Sequence, residues 1–228
     1  ALTTSGDILY RGASADARLA KGTANQTLQM DGSANFPTWT TVAPATADWV
    51  KVSTTTFDGS TTSYNEDNFS ATYDNYRVYM TGIQLTGTTG YSMKWRVRTS
   101  AGDYTSGNYF LSGGGWYKSS GSTGAHDAGQ WAVNQPDLNG WSIPSTGTHS
   151  SEATFDMVWD YFNVNGTSDF KNVMFRYFGW EHGGSYTTFS QGGCTINQTA
   201  ALTGFNFTNS GNAAFGNMGK IITYGLKT

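Results

Sequence analysis

The chain of 228 residues carries a single cysteine, Cys194. A disulfide framework within one chain is therefore excluded, and stability has to come from packing and association. Cys194 follows Gly192-Gly193 and reads as a small buried hydrophobe rather than a reactive thiol. Charged residues make up only 13% of the chain, about half the usual share. Charged helix formers are scarce in consequence, which argues against long surface helices. No apolar run approaches the roughly 20 residues that span a bilayer as a helix, and no signal-peptide pattern opens the sequence. Membrane insertion is not expected. The net charge of −3 leaves no basic footprint for nucleic acid, which is not an expected partner either. Lys94, Arg96 and Arg98 gather on one face of a predicted strand, where alternating polar positions ordinarily face water.

Aromatics and glycine are plentiful instead. Aromatic residues reach 15% and glycine numbers 29, set among Ser, Thr and Asn. Aromatic and β-branched residues between Gly, Ser, Asn and Asp are strand-and-turn chemistry. Tyr91, Met93, Trp95 and Val97 alternate with Ser92, Lys94, Arg96 and Arg98, the mark of a half-buried strand. Ala153, Phe155, Met157, Trp159 and Tyr161 do the same against polar partners. Asn172 to Trp180 is nearly all apolar, as a strand covered on both faces would be. Tyr76 to Leu85 is strand-like, with Gly82 at a bulge position. Trp49 to Phe57 is β-branched. Shorter candidates are Gln130–Val133, Tyr186–Phe189, Leu202–Phe207 and Ile221–Leu226. Gly102 to Gly129 reads as a long Gly/Ser-rich loop. Eight or nine strands with turns between them predict an all-β fold, an antiparallel β-sandwich of jelly-roll type.

The first 44 residues differ from the rest. Ile8, Leu9, Tyr10, Leu19, Leu28, Met30, Phe36 and Trp39 are spread among small and polar residues, and Ala43-Pro44-Ala45-Thr46-Ala47 forms a connector. So short a segment buries too little surface to offset its chain entropy. Residues 1–44 are expected to form an extended attachment and trimerisation arm, and 45–228 the sandwich. Ile8, Leu9, Tyr10, Leu19, Leu28 and Trp39 are its candidate assembly residues.

The arm resembles a segment found in structural proteins of tailed bacteriophages, tail fibres in particular. The resemblance rests on Gly6-Asp7-Ile8-Leu9-Tyr10, Arg18-Leu19-Ala20, Gly22-Thr23, Gln26, Leu28, Gly32 and Pro37-x-Trp39. The body resembles a domain that ends many phage structural proteins. The matching residues are Tyr73-Asp74-Asn75-Tyr76-Arg77-Val78, Met93 to Arg98 with Ser100-Ala101-Gly102, Ala201-Leu202-Thr203-Gly204-Phe205 and Lys220 to Leu226. The resemblance implies a homotrimeric component at the virion surface that contacts other tail or capsid proteins.

The chemistry-bearing residues form no recognisable catalytic pattern. His126, His149 and His182 lack metal-site spacing, and Asn65-Glu66-Asp67-Asn68 lacks the ligand alternation of an EF-hand. No Walker loop or Gly-x-Ser-x-Gly elbow occurs. Among Asp103, Asp127, Asp137, Glu152 and Glu181 no spacing singles out the carboxylate pair of a glycosidase. No enzyme activity, metal or cofactor is expected. Trp116, Tyr117, Trp131 and Trp141 lie in or beside polar loops, where an exposed ring can meet the apolar face of a sugar. They are candidate glycan contacts, with a host-surface polysaccharide as partner; the alternative is that they close the ends of the sandwich or a trimer interface. The expected function is a trimeric tail-fibre-like appendage for host attachment. A capsid decoration protein and a free carbohydrate-binding or hydrolytic protein are the two alternatives.

Overall fold

A computed structural model describes residues 2–33, 36–41, 48–86, 91–105, 109–119, 123–133, 138–139, 145–146, 154–181, 186–209 and 211–227. The chain divides into two compact units, Ala1–Ala47 and Asp48–Thr228. The first holds two antiparallel hairpins. Strand β1 (Ile8–Arg11) pairs with β2 (Asp16–Leu19), and β3 (Gln26–Met30) pairs with β4 (Pro37–Thr41).

The second unit is all-β and antiparallel. Its strands are β5 (Trp49–Thr56), β6 (Tyr64–Glu66), β7 (Asn75–Ile83), β8 (Tyr91–Thr99), β9 (Gly102–Asp103), β10 (Tyr109–Ser119), β11 (Thr123–Val133), β12 (Leu138–Asn139), β13 (Ser145–Thr146), β14 (Phe155–Phe162), β15 (Lys171–Glu181), β16 (Tyr186–Ile196), β17 (Leu202–Asn209) and β18 (Lys220–Leu226). A wide sheet runs β11-β10-β16-β15-β14-β7-β18-β5, and a narrow one runs β12-β8-β17-β6, with β9 and β13 also on β8.

Eight of these strands form a jelly roll. Counted in chain order, β5, β6, β7, β8, β12, β14, β17 and β18 are first to eighth. The first, eighth, third and sixth adjoin in the wide sheet; the second, seventh, fourth and fifth adjoin in the narrow one. That interleaving is two Greek keys closed on each other. The remaining strands are insertions. β15, β16, β10 and β11 all extend the wide sheet beyond β14.

Burial follows the alternation of the sequence. Phe155, Met157, Trp159 and Tyr161 of β14 point inward, as do Met93, Trp95 and Val97 of β8. Trp95 stacks on Trp159 at 4.8 Å and donates its indole N–H to the Tyr161 hydroxyl at 2.7 Å. Phe69 stacks on Tyr76 at 4.0 Å. Each such ring contributes about 1.5–3 kcal/mol by leaving water. Gly82 occupies the expected bulge. Its φ is +60°, the β7–β14 register slips there, and its N–H reaches Asp156 Oδ1. Gly204 is required for a different reason, since a Cβ there would fall 1.6 Å from the Glu66 carbonyl.

Two expectations about strands are corrected. Gly102 to Gly129 is not one long loop, because it contains β9, β10 and the start of β11. Gly113, Gly114 and Gly115 read as loop residues, yet β10 is bonded on both edges, by β16 and by β11. Tertiary pairing overrides the weak strand preference of glycine. The second correction concerns β15. One of its faces is open: Asn172, Met174, Arg176 and Phe178 are exposed, while Val173, Phe175 and Tyr177 are buried.

Candidate functional site

Several of the residues that carry the arm's sequence resemblance, among them Asp7, Arg18, Gly22, Thr23, Gln26 and Trp39, hold its two hairpins in shape. The Asp7 carboxylate, only 1% exposed, accepts the backbone N–H groups of Thr3, Thr4 and Lys21 and faces the Arg18 guanidinium at 3.4 Å. Burial pushes its pKa up, but the three N–H bonds and Arg18 outweigh it and leave the carboxyl below its ordinary value. Thr23 and Gln26 bond reciprocally, Thr23 N to Gln26 Oε1 at 2.8 Å and Gln26 N to Thr23 O at 3.3 Å. Trp39 donates its indole N–H to the Ala20 carbonyl at 2.6 Å and lies flat on Gly22, where a Cβ would come within 2.7 Å of the ring. Tyr10 and Phe36 touch at a ring separation of 6.0 Å.

No apolar residue among those described in this unit is buried. Of the candidate assembly residues, Ile8, Tyr10, Leu19 and Trp39 are half-buried within the unit. Leu9 and Leu28 are 53% and 44% exposed, and Leu2 and Met30 join them at 54% and 50%. The register sets Leu28 opposite Trp39 and Met30 opposite Pro37 on one face of the second hairpin. Met30 stands among the arm's apolar residues in the sequence and alternates with Leu28, but neither it nor Leu2 is among the candidate assembly residues.

In the body, polar residues tie strands together rather than line a cleft. Glu66 is fully buried. Its Oε2 accepts the hydroxyls of Ser53 (2.6 Å), Thr223 (2.6 Å) and Tyr64 (3.1 Å), and its Oε1 accepts the N–H and side-chain amide of Asn68. Both sheets are thereby pinned to one carboxylate. Lys171 is also fully buried. Its ammonium donates to the carbonyls of Asn163 and Gly166, and desolvation lowers its pKa. Arg77 clasps Asp160 with two hydrogen bonds while lying over the Trp49 ring at 4.9 Å.

The cationic face of β8 is not simply solvated. Arg98 bonds Asp67 and Asp103, and Arg96 lies 3.9 Å from Asp103. Asp103 is thus engaged in ion pairs. Cys194 is buried, and desolvation pushes its thiol up to about 12. Among the described residues no group of three or more His, Cys, Asp or Glu is placed to hold a metal ion.

Trp116 and Tyr117 lie on β10 and Trp131 on β11, so their backbones are in strands and not in loops. Their side chains, and Trp141 altogether, lie outside the described residues, as do His149, His182, Asp137 and Glu152 and the side chains of His126, Asp127 and Glu181. The backbone register sets Trp116 opposite Phe189 of β16.

The outer face of the wide sheet carries a surface that the sequence reading missed. On β15, Met174 and Phe178 are 57% and 56% exposed, with the exposed Arg176 between them. Cross-strand neighbours of Arg176 are Val158 on β14 and Gln191 on β16. The Gly193 position opposite Met174 is nearly bare, since an added Cβ would meet only the Val173 carbonyl at 3.7 Å. Large apolar side chains with an arginine, gathered on one face, are the composition of an interaction surface.

No protein-family model matches the chain, and neither a curated protein nor a solved structure does.

Proposed function

We propose that this chain is a structural protein of a tailed-phage virion, a trimeric appendage in which residues 1–47 drive assembly and the jelly-roll body is displayed for attachment to the host surface. The supporting observation is the arm. It is shaped by its own hydrogen bonds, yet it buries none of its described apolar residues and exposes Leu2, Leu9, Leu28 and Met30. A unit of this size without a core gains its stability from what covers it. Its formal charge is balanced, Arg11, Arg18 and Lys21 against Asp7, Asp16 and Asp31, so copies meet without net repulsion. The body, by contrast, has a continuous apolar core of its own. Three weakly binding bodies on one stem, and many stems on one particle, gain avidity far above that of a single site. The phage assignment itself rests on the sequence resemblance of arm and body.

The test pairs sedimentation with particle labelling. The full chain is expected to sediment as a trimer, and residues 48–228 as a folded monomer. Gold-tagged antibody against the body is expected at the distal tail. Label over the head would make this a decoration protein, and no label on particles would return a free binding protein to first place. A trimeric 48–228 fragment would reduce the arm to an anchor.

A further inference from the structure

We infer that Asn165-Gly166 is a self-modification site. The folded body holds it unreactive, whereas an unfolded chain loses the Asn165 side-chain amide to water and, with it, the ability to fold.

The turn that contains it is clamped from several sides. β14 leads into Asn163-Val164-Asn165-Gly166, closed by the Gly166 N–H donating to the Asn163 carbonyl at 3.2 Å. The buried Lys171 ammonium donates to the carbonyls of Asn163 and Gly166. Val164 N–H donates to the Asp74 carbonyl at 2.9 Å, and Leu202 N–H donates to the Val164 carbonyl at 2.8 Å. The Asn165 amide meets three oxygens of the preceding turn: the Tyr73 carbonyl at 2.9 Å, Asp74 Oδ1 at 3.1 Å and the Ser70 carbonyl at 3.3 Å.

An Asn followed by Gly is reactive because no side chain shields the next backbone nitrogen. Gly166 N gives its proton to water and attacks Asn165 Cγ. The Cγ–Nδ2 bond breaks, and ammonia leaves with a proton from solvent. The resulting succinimide takes up one water at either carbonyl and opens to aspartate or to β-linked isoaspartate. The balance is amide plus water to carboxylate plus ammonium, with no redox step. In the fold, attack must first break the Gly166–Asn163 bond, and departure of Nδ2 must break all three of its contacts.

The product does not fit where the amide did. An amide nitrogen brings two hydrogens to these acceptors; a carboxylate brings none. It would face two carbonyls and the Asp74 carboxylate, leaving acceptors unpaired and setting like charge against like charge. Lys171, the cation at this turn, is already committed to two carbonyls. Isoaspartate also adds a carbon to the backbone, against the bonds that Val164 makes to residues 74 and 202. Both halves of the dipeptide are nevertheless needed. Three acceptors call for the amide, and a Cβ on Gly166 would meet the Asn163 side chain at 2.4 Å. Modification that outpaces refolding makes unfolding irreversible. A body that folds promptly keeps its amide, and one that stays open is withdrawn from assembly.

The test holds the full chain at mildly alkaline pH, in native buffer and in guanidinium, and maps peptides by mass spectrometry. Asn139-Gly140, the other Asn-Gly of the chain, is the reference in guanidinium. Asn165 is expected to convert at least tenfold more slowly in native buffer. After dilution from guanidinium, converted Asn165 should be depleted about tenfold in the soluble refolded protein relative to the total. Equal rates in the two solvents overturn the inference. So does Asn165 lagging Asn139 tenfold in guanidinium, which would place the protection in local sequence. An equal share of converted Asn165 in refolded and total protein overturns the loss of folding. Asn165→Asp should lower the thermal midpoint or the folded yield, and adding Asp74→Asn should restore part of it, because the new amide can donate to the carboxylate. An Asn165→Asp protein as stable as wild type, or no recovery in the double variant, refutes the charge argument.

Discussion

Glu66 offers the sharpest test of how the body is held together. Its carboxylate receives two hydroxyl bonds at 2.6 Å, from Ser53 and Thr223, a third from Tyr64, and two donors from Asn68. In Glu66→Gln the amide oxygen can stay toward Asn68, whose backbone N–H cannot reverse. The amide nitrogen then faces three hydroxyls, which can turn and accept. Two hydrogens cannot serve three acceptors, and bonds that were charge-assisted become neutral at about half their strength. The cost is about 2 kcal/mol, the difference between charged and neutral bonds summed over two contacts. Glu66→Leu instead strands every donor in a buried site, at about 3–5 kcal/mol. For a unit of this size 1 kcal/mol corresponds to about 2–4 °C in melting temperature, so Glu66→Gln should melt about 4–8 °C below the wild type. Guanidinium unfolding followed by tryptophan fluorescence measures both variants. A Glu66→Gln protein within about 0.5 kcal/mol of wild type, inside the normal range for surface changes, would refute the reasoning. So would a Glu66→Leu protein more stable than Glu66→Gln.

Two further outcomes are expected. Burial raises the pKa values of Tyr64, Tyr109 and Tyr161, and takes the Cys194 thiol from 9.0 to about 12. Groups whose folded values exceed their unfolded values stabilise fully below the unfolded value and lose that contribution as pH rises toward the folded one. Stability should therefore fall from about pH 9 upward, and absorbance titration should show these tyrosines ionising only as the body unfolds; smooth ionisation of every tyrosine near pH 10 would contradict this. In the arm, Gly22→Ala drives a methyl into the Trp39 ring, an overpacking cost of about 1–3 kcal/mol. Amide exchange in residues 2–41 should accelerate about tenfold or more while the body's core is unchanged, and unaltered arm protection would rule out the Trp39 contact as a clamp.

The parts of the fold legible in the sequence are those where one face alone is apolar. β8 and β14 show it, because Trp95 or Trp159 is flanked by residues that belong in water. β10 was hidden by Gly113–Gly115, and β16 was legible only over Tyr186–Phe189, short of Gly192–Gly193; the place of these glycines in a sheet depends on partners far along the chain. β15 was readable as a strand but not as a half-open one. Met174 and Phe178 look like core until the structure shows nothing described above them. Glu66 could not be foreseen at all, since its partners sit at 53, 64, 68 and 223. In the arm, Gly22 and Trp39 were visible as a pattern, but the pattern did not say that the ring lies on the glycine. The arrangement of Arg176 between two apolar neighbours was present in the sequence, and it went unread because a strand expected to be covered on both sides offers no surface.

The position of β18 also governs when the molecule can fold. Residues 220–226 form neither an edge nor an appendix; they lie between β5 and β7, supplying one of the two ladders of β7 and the whole sheet pairing of β5, which ends the wide sheet. During synthesis β5 emerges some 160 residues earlier, a lag at about 5–20 residues per second of several seconds or more, and for that time its inner edge has no partner. The wide sheet is completed only after residue 226 has appeared. Folding of the body is thus a late event dominated by contacts between distant parts of the chain, which are slow to form. A nascent chain of this kind depends, until its final strand arrives, on being kept from pairing with its neighbours.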